Sequence, residues 1–463
     1  MIQLSPSSPS SFANNIFGYP LFIFPLPKKG MEHVATNCPN LEMIDLSNCA
    51  ELSGNICYHL VQQCQHLKFL NLSGFVDKLS PSIFNCLHQN MALEQLILSN
   101  TVIPQQVNFK NSRLSSLKQL SVCGSIKKIR PIIQLLEIGC SFEELDLGYC
   151  PEITEEFIIA LVKTSKNLKS ISFANCQFLN DNMIRILVEN CPFLERLNLS
   201  NTHGWSPAAF ISILQFSQHL KYLNLSQRKP LDLSALERNM LPKAFATDLE
   251  CLILHNVVLQ PDSTIHLLSN CPQLLELDLS NNGYTFDPTK KEQLFLSDDT
   301  FSFIIPFCRN LKKLILRKCV RLTDTSIMRI AENFTFLEYL DISEINTITN
   351  ISPLALCNQL KILILKSCNY VISAALKPIL KKNCIQKLNI IGCAALKDDT
   401  LVDLYNCTSI SELHFGLGHK MAKTDVEKFL KDCATEKPHL KLNHQTTLPG
   451  SGFSGPFKRS NNH

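Results

Sequence analysis

One apolar phrase recurs along this chain and constrains its fold more than any other feature. Segments such as CPNLEMIDLSNC, CPFLERLNLSN and CRNLKKLILRKC share the frame L-x-x-L-x-L-x-x-C/N/T. The first apolar residue of each frame anchors one of about fifteen units, most of which are about 23–26 residues long. The anchors are Leu41, Leu67, Leu93, Leu117, Phe142, Leu168, Leu194, Leu220, Leu249, Leu274, Leu311, Leu337, Leu360, Ile385 and Ile410. This period predicts a stack of similar small units, each in contact with its neighbours.

Each unit combines a strand signal with a helix signal. Alternation in the first unit predicts that Ile44 and Leu46 face the core while Met43 and Asp45 face solvent. Side chains that can cap a helix precede the helical stretches: Thr154, either Asn180 or Asp181, and either Thr323 or Asp324. One unit cannot bury its apolar face alone. The units should therefore share one continuous core, with parallel strands on the inner side and helices outside.

The cysteines follow the repeat, which argues against a disulfide scaffold. Of the 20 cysteines, six occupy one slot just after the strand, where Thr101, Thr202 and Asn282 stand in other units. These six are Cys49, Cys150, Cys176, Cys319, Cys368 and Cys393. A small thiol in that slot can hydrogen-bond the turn backbone. We expect reduced, buried thiols and a reducing compartment, the cytoplasm or the nucleus. No C-x-x-C pair supports zinc.

Composition excludes several classes of function. The 463 residues are 45% hydrophobic, and 44 basic residues nearly balance 40 acidic ones. A nucleic-acid partner is not expected, because such proteins usually show a stronger basic bias. A membrane partner is not expected either, because Pro20 and Pro25 interrupt the apolar stretch 12–26, which is shorter than a span of about 20 residues.

Motifs that could carry chemistry have simpler interpretations. Gly450, Gly452 and Gly455 form a G-x-G-x-x-G, but in a Gly/Ser tail without the strand and helix that a phosphate site needs. The interval from Leu274 to Leu311 holds an insertion of roughly 11 residues near 286–293, which could bind a partner or be a neutral elaboration of a surface loop. The histidines show no metal-ligand spacing. No catalytic residue, metal or cofactor is predicted.

The outward strand positions of units eleven to fourteen carry the strongest binding signal. They combine isoleucines with cations: Lys313, Ile315, Arg317, Ile362, Ile364, Lys366, Lys387 and Ile391. Exposed isoleucines bordered by Lys and Arg predict a surface that binds a protein, and an acidic peptide with apolar anchors would match it. The alternative interpretation is that β-branched residues simply favour strands.

The frame resembles the cysteine-containing subclass of leucine-rich repeats, typical of F-box/leucine-rich-repeat proteins. The pattern C-x-x-L-x-x-L-x-L-x-x-C-x-x-L-T-D-x-x-L is matched best between Cys308 and Ile330. The resemblance covers about residues 31–433. In that family the repeats hold a substrate, and an N-terminal F-box docks on the adaptor of a cullin-type ubiquitin ligase. No L-P-x-E opening of an F-box is found in this sequence.

The residues and the resemblance together predict an α/β fold. It is a curved leucine-rich-repeat solenoid, a horseshoe with parallel strands on the concave side and helices on the convex side. We expect a Ser/Pro/Phe leader over 1–30, the solenoid over 31–443 and a flexible Gly/Ser tail over 444–463. The resemblance implies a non-catalytic substrate-recognition module for ubiquitin ligation. The adaptor is an expected partner only if a longer form carries an F-box. The alternative is a stand-alone scaffold or regulatory inhibitor that acts by protein binding.

Overall fold

A computed structural model of the chain describes residues 38–49, 54–75, 81–87, 89–103, 107–242, 248–282, 296–416 and 420–445. The expected leader over 1–30, the insertion near 286–293 and the Gly450–Gly455 motif lie outside the described residues. Two compact units divide the chain, Met1–Leu168 and Lys169–His463, and each is described by itself. Among the described residues, no helix is both long enough and apolar enough to cross a bilayer.

The first unit contains five short strands that pair in parallel and in chain order. They are β1 (Met43–Asp45), β2 (Phe69–Asn71), β3 (Gln95–Ile97), β4 (Gln119–Ser121) and β5 (Glu144–Asp146). Its helices are α1 (Gly54–Gln63), α2 (Pro81–Leu87), α3 (Arg130–Glu137) and α4 (Glu155–Thr164), with a 3-10 turn at Leu114–Ser116. Strand and helix alternate along the chain, as the repeat predicts.

The second unit repeats the same parallel arrangement over more strands. Its main sheet contains β6 (Ser170–Ser172), β7 (Arg196–Asn198), β8 (Tyr222–Asn224), β10 (Cys251–Ile253), β12 (Glu276–Asp278), β13 (Lys313–Ile315), β14 (Tyr339–Asp341), β15 (Ile362–Ile364), β16 (Lys387–Asn389), β17 (Glu412–Gly416) and β18 (Lys441–Gln445). A side pair joins β9 (Leu231–Asp232) to β11 (Val257–Val258). The boundary predicted at 443 falls inside β18.

The helices of the second unit connect these strands. They are α5 (Asp181–Asn190), α6 (Pro207–Phe216), α7 (Pro261–Ser269), α8 (Asp298–Ile304), α9 (Asp324–Asn333), α10 (Ser373–Lys382), α11 (Asp399–Asn406) and α12 (Lys423–Glu436). Short 3-10 segments lie at Arg238–Met240, Ile305–Phe307 and Ser352–Leu356. Each unit is therefore an α/β leucine-rich-repeat solenoid, and the predicted fold class is confirmed.

Strand alternation places the core where the sequence predicts it. The central residue of most strands is buried between two half-buried neighbours, as with Ile44 at 1% exposure in β1. Leucines fill this position in register along the second unit, including Leu197, Leu314 and Leu340, each 0% exposed. Full burial of one leucine stabilises the fold by roughly 1.5–3 kcal/mol, so stacking supplies energy that one repeat cannot supply alone.

The structure resolves which residues cap the helices. Thr154 accepts a hydrogen bond from the Phe157 amide, and Asn180 rather than Asp181 accepts one from the Met183 amide. Thr323, not Asp324, caps α9. The neighbouring aspartates bond across the repeat boundary instead. Asp181 accepts from the Ser206 amide and hydroxyl at 2.6 Å each.

The slot after each strand links successive repeats. Thr101 donates its hydroxyl to the Leu72 carbonyl at 2.7 Å, one repeat earlier. The Cys319 thiol donates to the Leu279 carbonyl at 3.3 Å, and Cys368 and Cys393 repeat this contact with Ile342 and Leu365 at 3.2 and 3.0 Å. All 20 cysteines are free thiols, and the six in this slot are buried. The predicted burial of the six cysteines is confirmed, and the predicted thiol hydrogen bond to the backbone is seen at Cys319, Cys368 and Cys393.

Candidate partner-binding surface

The strand face of the second unit is the surface formed by the outward side chains of its main sheet. Five predicted site residues lie side by side on it. Lys313 and Ile315 extend from β13, Ile362 and Ile364 from β15, and Lys387 from β16. Register aligns them through β14, so that one row reads Lys313, Tyr339, Ile362, Lys387 and the next reads Ile315, Asp341, Ile364.

The third outward position of a repeat, two residues after the last strand residue, is more enclosed than strand alternation implies. Ile391 is 4% exposed, so its prediction as an exposed isoleucine is wrong. Three serines at the same position, Ser200, Ser280 and Ser343, are also buried and at most 8% exposed, whereas Ala174 and Ser226 are half-buried there. This position follows the last strand residue, where the chain turns into the body of the repeat. Arg317 and Lys366 occupy it too, but their long side chains leave them half-exposed.

The two outer lysines of the predicted site are already paired with carboxylates. Lys313 Nζ lies 3.2 Å from Glu276 on the preceding strand, and Lys387 Nζ lies 3.1 Å from Glu412 on the following strand. Hydrogen bonds from His414 and from Lys387 hold the pKa of Glu412 below its ordinary value. These cations are therefore not free charges waiting for an acidic partner.

Arg317 is paired as well. Its Nε donates to the Glu344 carboxylate at 2.7 Å, and Lys318 Nζ lies 3.4 Å from the same carboxylate. Glu344 has a left-handed backbone with φ 61°, in a turn position that asparagines such as Asn281 fill elsewhere. Lys366 makes no ion pair within the part of the chain that the structure describes. Of the four predicted cations, Lys366 thus carries the least compensated charge.

Strand β14 contributes two residues that the predicted site left out. Lys313 Nζ lies over the Tyr339 ring, 5.5 Å from the ring centroid. Burial, with the charges of Asp341 and Asp278, raises the pKa of Tyr339 to about 12. Burial also raises the pKa of the Asp341 carboxyl. Strand alternation places both residues outward, but neither is an isoleucine or a cation, the two residue types that defined the predicted site.

The described residues contain no group of three or more His, Cys, Asp or Glu side chains that could hold a metal ion. The buried thiols are poor nucleophiles, because burial raises the pKa of Cys319 and the pKa of Cys368 to about 12 each. His255 lies on the strand face, and burial lowers its pKa. What the strand face offers is contact area: half-buried isoleucines and a tyrosine, set among charges.

Comparison with known proteins agrees with this reading of the fold. No protein-family model matches the chain. A stretch of 170 residues is 27% identical to F-box/LRR-repeat protein 4 of Bos taurus, covering 36% of this chain and 22% of that protein. The match therefore spans less than a quarter of the relative's length.

Several solved structures share part of the arrangement at low identity. An internalin of Listeria monocytogenes aligns with a TM-score of 0.48 and 16% identity, over 80% of this chain and 90% of its own. The yeast Rad7 and Elc1 complex gives 0.45 and 18%, over 90% and 88% of the two chains. A leucine-rich-repeat protein of Leptospira interrogans gives 0.47 and 19%, over 89% and 97%. These scores are below 0.5, and the fold assignment rests on the register of the chain itself. With that register and the 170-residue match, the chain is a leucine-rich-repeat protein that resembles the repeat region of F-box/LRR proteins.

Proposed function

We propose that this chain is a non-catalytic protein-interaction solenoid that recognises substrates for a cullin-type ubiquitin ligase. The observation that carries the proposal is the group of half-buried apolar side chains on the strand face, Ile315, Tyr339, Ile362 and Ile364, adjacent in register across three strands. Contact of such a group with water is unfavourable, whereas a bound protein would bury it. The link to ubiquitin ligation is supported by the 170-residue match to an F-box/LRR-repeat protein.

The proposal separates recognition from attachment to the ligase. Recognition is assigned to the strand face. Attachment to the adaptor would require an F-box on a longer form of the chain. The reducing compartment that we propose, the cytoplasm or nucleus, is where such ligases would meet their substrates.

A substitution pair on opposite sides of the second unit tests recognition. Ile364→Asp places a charge among the strand-face isoleucines. Met328→Asp makes the same change in α9, where Met328 is 53% exposed. Each substitution is introduced into the endogenous gene, so that any longer form with an F-box carries it, and protein half-lives and ubiquitin conjugates are measured by mass spectrometry. We expect a set of proteins to be stabilised with Ile364→Asp and turned over normally with Met328→Asp.

Two other results would redirect the proposal. Proteins that bind the wild-type chain through Ile364 but keep their half-lives would identify the stand-alone scaffold or inhibitor. Equal behaviour of the two variants would remove the strand face as the recognition surface.

A further inference from the structure

Two carboxylates and two isoleucines alternate along one row of the strand face, which we call the acid–isoleucine row: Asp278, Ile315, Asp341 and Ile364. Register places Ile315 directly between Asp278 and Asp341, and Asp341 directly between Ile315 and Ile364. With parallel strands about 4.8 Å apart, the two carboxylates stand about 10 Å from one another across Ile315. Each carboxylate thus borders apolar surface.

The charge of these aspartates is not needed for the local backbone structure. Asp278 and Asp341 each accept a hydrogen bond from the amide two residues later, at 2.8 and 2.9 Å. Neutral asparagines make the same bond in other repeats, with Asn198, Asn224 and Asn389 at 3.0, 2.9 and 3.1 Å. An asparagine would therefore serve the turn equally well, without the cost of holding a charge against isoleucine.

No cation of the protein is bound to Asp341 or Asp278 among the described residues. The nearby cations form their ion pairs elsewhere, Arg317 with Glu344 and Lys313 with Glu276, although the charge of Arg317 partly offsets the effect of burial on the pKa of Asp341. Asp341 receives its hydrogen bonds from Ser343, both on Oδ1, which leaves Oδ2 without a partner in the described part of the protein. Burial of an unpaired carboxylate is unfavourable, so an arriving cation would relieve that cost.

A second observation points to a ligand at the same place. The Ser280 hydroxyl has no hydrogen-bond partner among the described residues, although Ser280 is only 1% exposed. Ser280 follows Asp278 by two residues, at the enclosed third outward position beside the acid–isoleucine row. Buried hydroxyls are nearly always satisfied, so this unpaired hydroxyl indicates a partner that the described residues do not supply.

We propose that the acid–isoleucine row receives a lysine or arginine side chain from a protein segment that binds the strand face. Its aliphatic stem lies along Ile315 and Ile364, and its charged head bonds Asp341 and Asp278, with the Ser280 hydroxyl nearby. A basic side chain combines the apolar stem and the cationic head that this row offers. The inference rests on the proposed protein-binding role of the strand face and names the chemistry of its partner. It differs from the acidic peptide that the lysines, Arg317 and the isoleucines at outward strand positions predict from the sequence.

A peptide library displayed on phage and selected against the full 463-residue chain tests the inference. We expect the enriched peptides to carry a Lys or Arg flanked by apolar residues. Binding of a synthetic copy should weaken about ten- to hundredfold with Asp341→Asn, and further with Asp278→Asn, as expected for loss of a charged hydrogen bond. Replacing the basic residue of the peptide by Glu should abolish binding.

The matched control is Asp45→Asn, the same change at the equivalent position of β1. Asp45 also accepts from the amide two residues later, at 2.8 Å, and its variant should bind the peptide like wild type. Peptides whose binding depends on Ile364 but is unchanged by Asp341→Asn and Asp278→Asn would contradict the inferred basic side chain and leave the proposed function intact. Selection of no peptide that depends on Ile364 would instead remove the strand face as a binding site, and the inference with it.

Discussion

The Arg317 guanidinium donates to the Glu344 carboxylate of the next repeat through both Nε and Nη2. Burial opposes ionisation of Glu344, but the hydrogen bonds and charges of Arg317 and Lys318 outweigh it and hold its pKa below the ordinary value. The pair is partly exposed, with 43% and 27% of the two side chains accessible, so its net contribution is about 0.2–1 kcal/mol after screening. This relationship changes how a charge-reversal experiment must be designed.

Arg317→Glu is expected to lower stability slightly, because two carboxylates would then face one another. Exchange of both partners, Arg317→Glu with Glu344→Arg, should recover most of the loss in urea unfolding. Lys366→Glu, which breaks no ion pair among the described residues, should leave the midpoint unchanged. If the exchange variant is no more stable than the single variant, the contact between Arg317 and Glu344 does not stabilise the fold.

The same pair predicts a pH dependence. Because the folded pKa of Glu344 is lowered, its contribution to stability is full above the unfolded value near 4.5 and is lost as pH falls through the folded value. The stability difference between wild type and Glu344→Gln should therefore shrink below about pH 4.5. A difference that stays constant down to pH 2 would contradict the assigned shift.

Asp341→Asn should behave in the opposite sense. Burial raises the folded pKa of Asp341, so the charged form weakens the fold once pH exceeds the unfolded value, and fully above the folded value. At neutral pH the Asn variant should match or exceed wild type in urea unfolding, and at low pH the two should converge. A clear loss of stability at pH 7 would show that the charge itself supports the fold.

Thiol labelling tests the cysteine slots. We expect rapid alkylation of exposed Cys38 and slow labelling of Cys49, Cys176, Cys319 and Cys393 in the native protein, measured by mass spectrometry. Burial raises the pKa of Cys319 to about 12, which adds to the protection. A stoichiometric disulfide between any two of the slow cysteines would contradict both the fold and the proposed reducing compartment.

A core substitution tests the stacked architecture of the second unit. Leu197 in β7 is 0% exposed, so Leu197→Ala should cost about 2–5 kcal/mol. Because each repeat contacts its neighbours, hydrogen exchange should accelerate first in β6 and β8. Equal loss of protection at β17 would show that the unit unfolds as one cooperative block.

The sequence was a good guide wherever a feature depends on one repeat. Alternation predicted the burial of Ile44. Residue type placed each helix cap to within one residue and left Asp181 and Asp324 open beside Asn180 and Thr323. Features that depend on adjacent repeats were not accessible. Lys313 pairs with Glu276, which lies 37 residues earlier, because a backbone register brings them together. The prediction that Ile391 is exposed was wrong for a related reason, because strand alternation alone does not show that the turn encloses this position.

The thiol contacts between repeats give the second unit a direction. The Cys393 thiol donates a hydrogen bond to the Leu365 carbonyl, and the Cys319 thiol donates one to the Leu279 carbonyl. In both contacts the donor lies in the later repeat and the acceptor in the earlier one. Removing repeats from the carboxyl end would take the thiol donor from carbonyls that keep a second hydrogen bond, from the Asn282 amide at Leu279 and from the Cys368 amide at Leu365. Removing repeats from the amino end would leave a weak thiol donor without its acceptor. Both losses are small, so shortening the second unit from either end should cost stability mainly through the apolar core that the missing repeat leaves exposed.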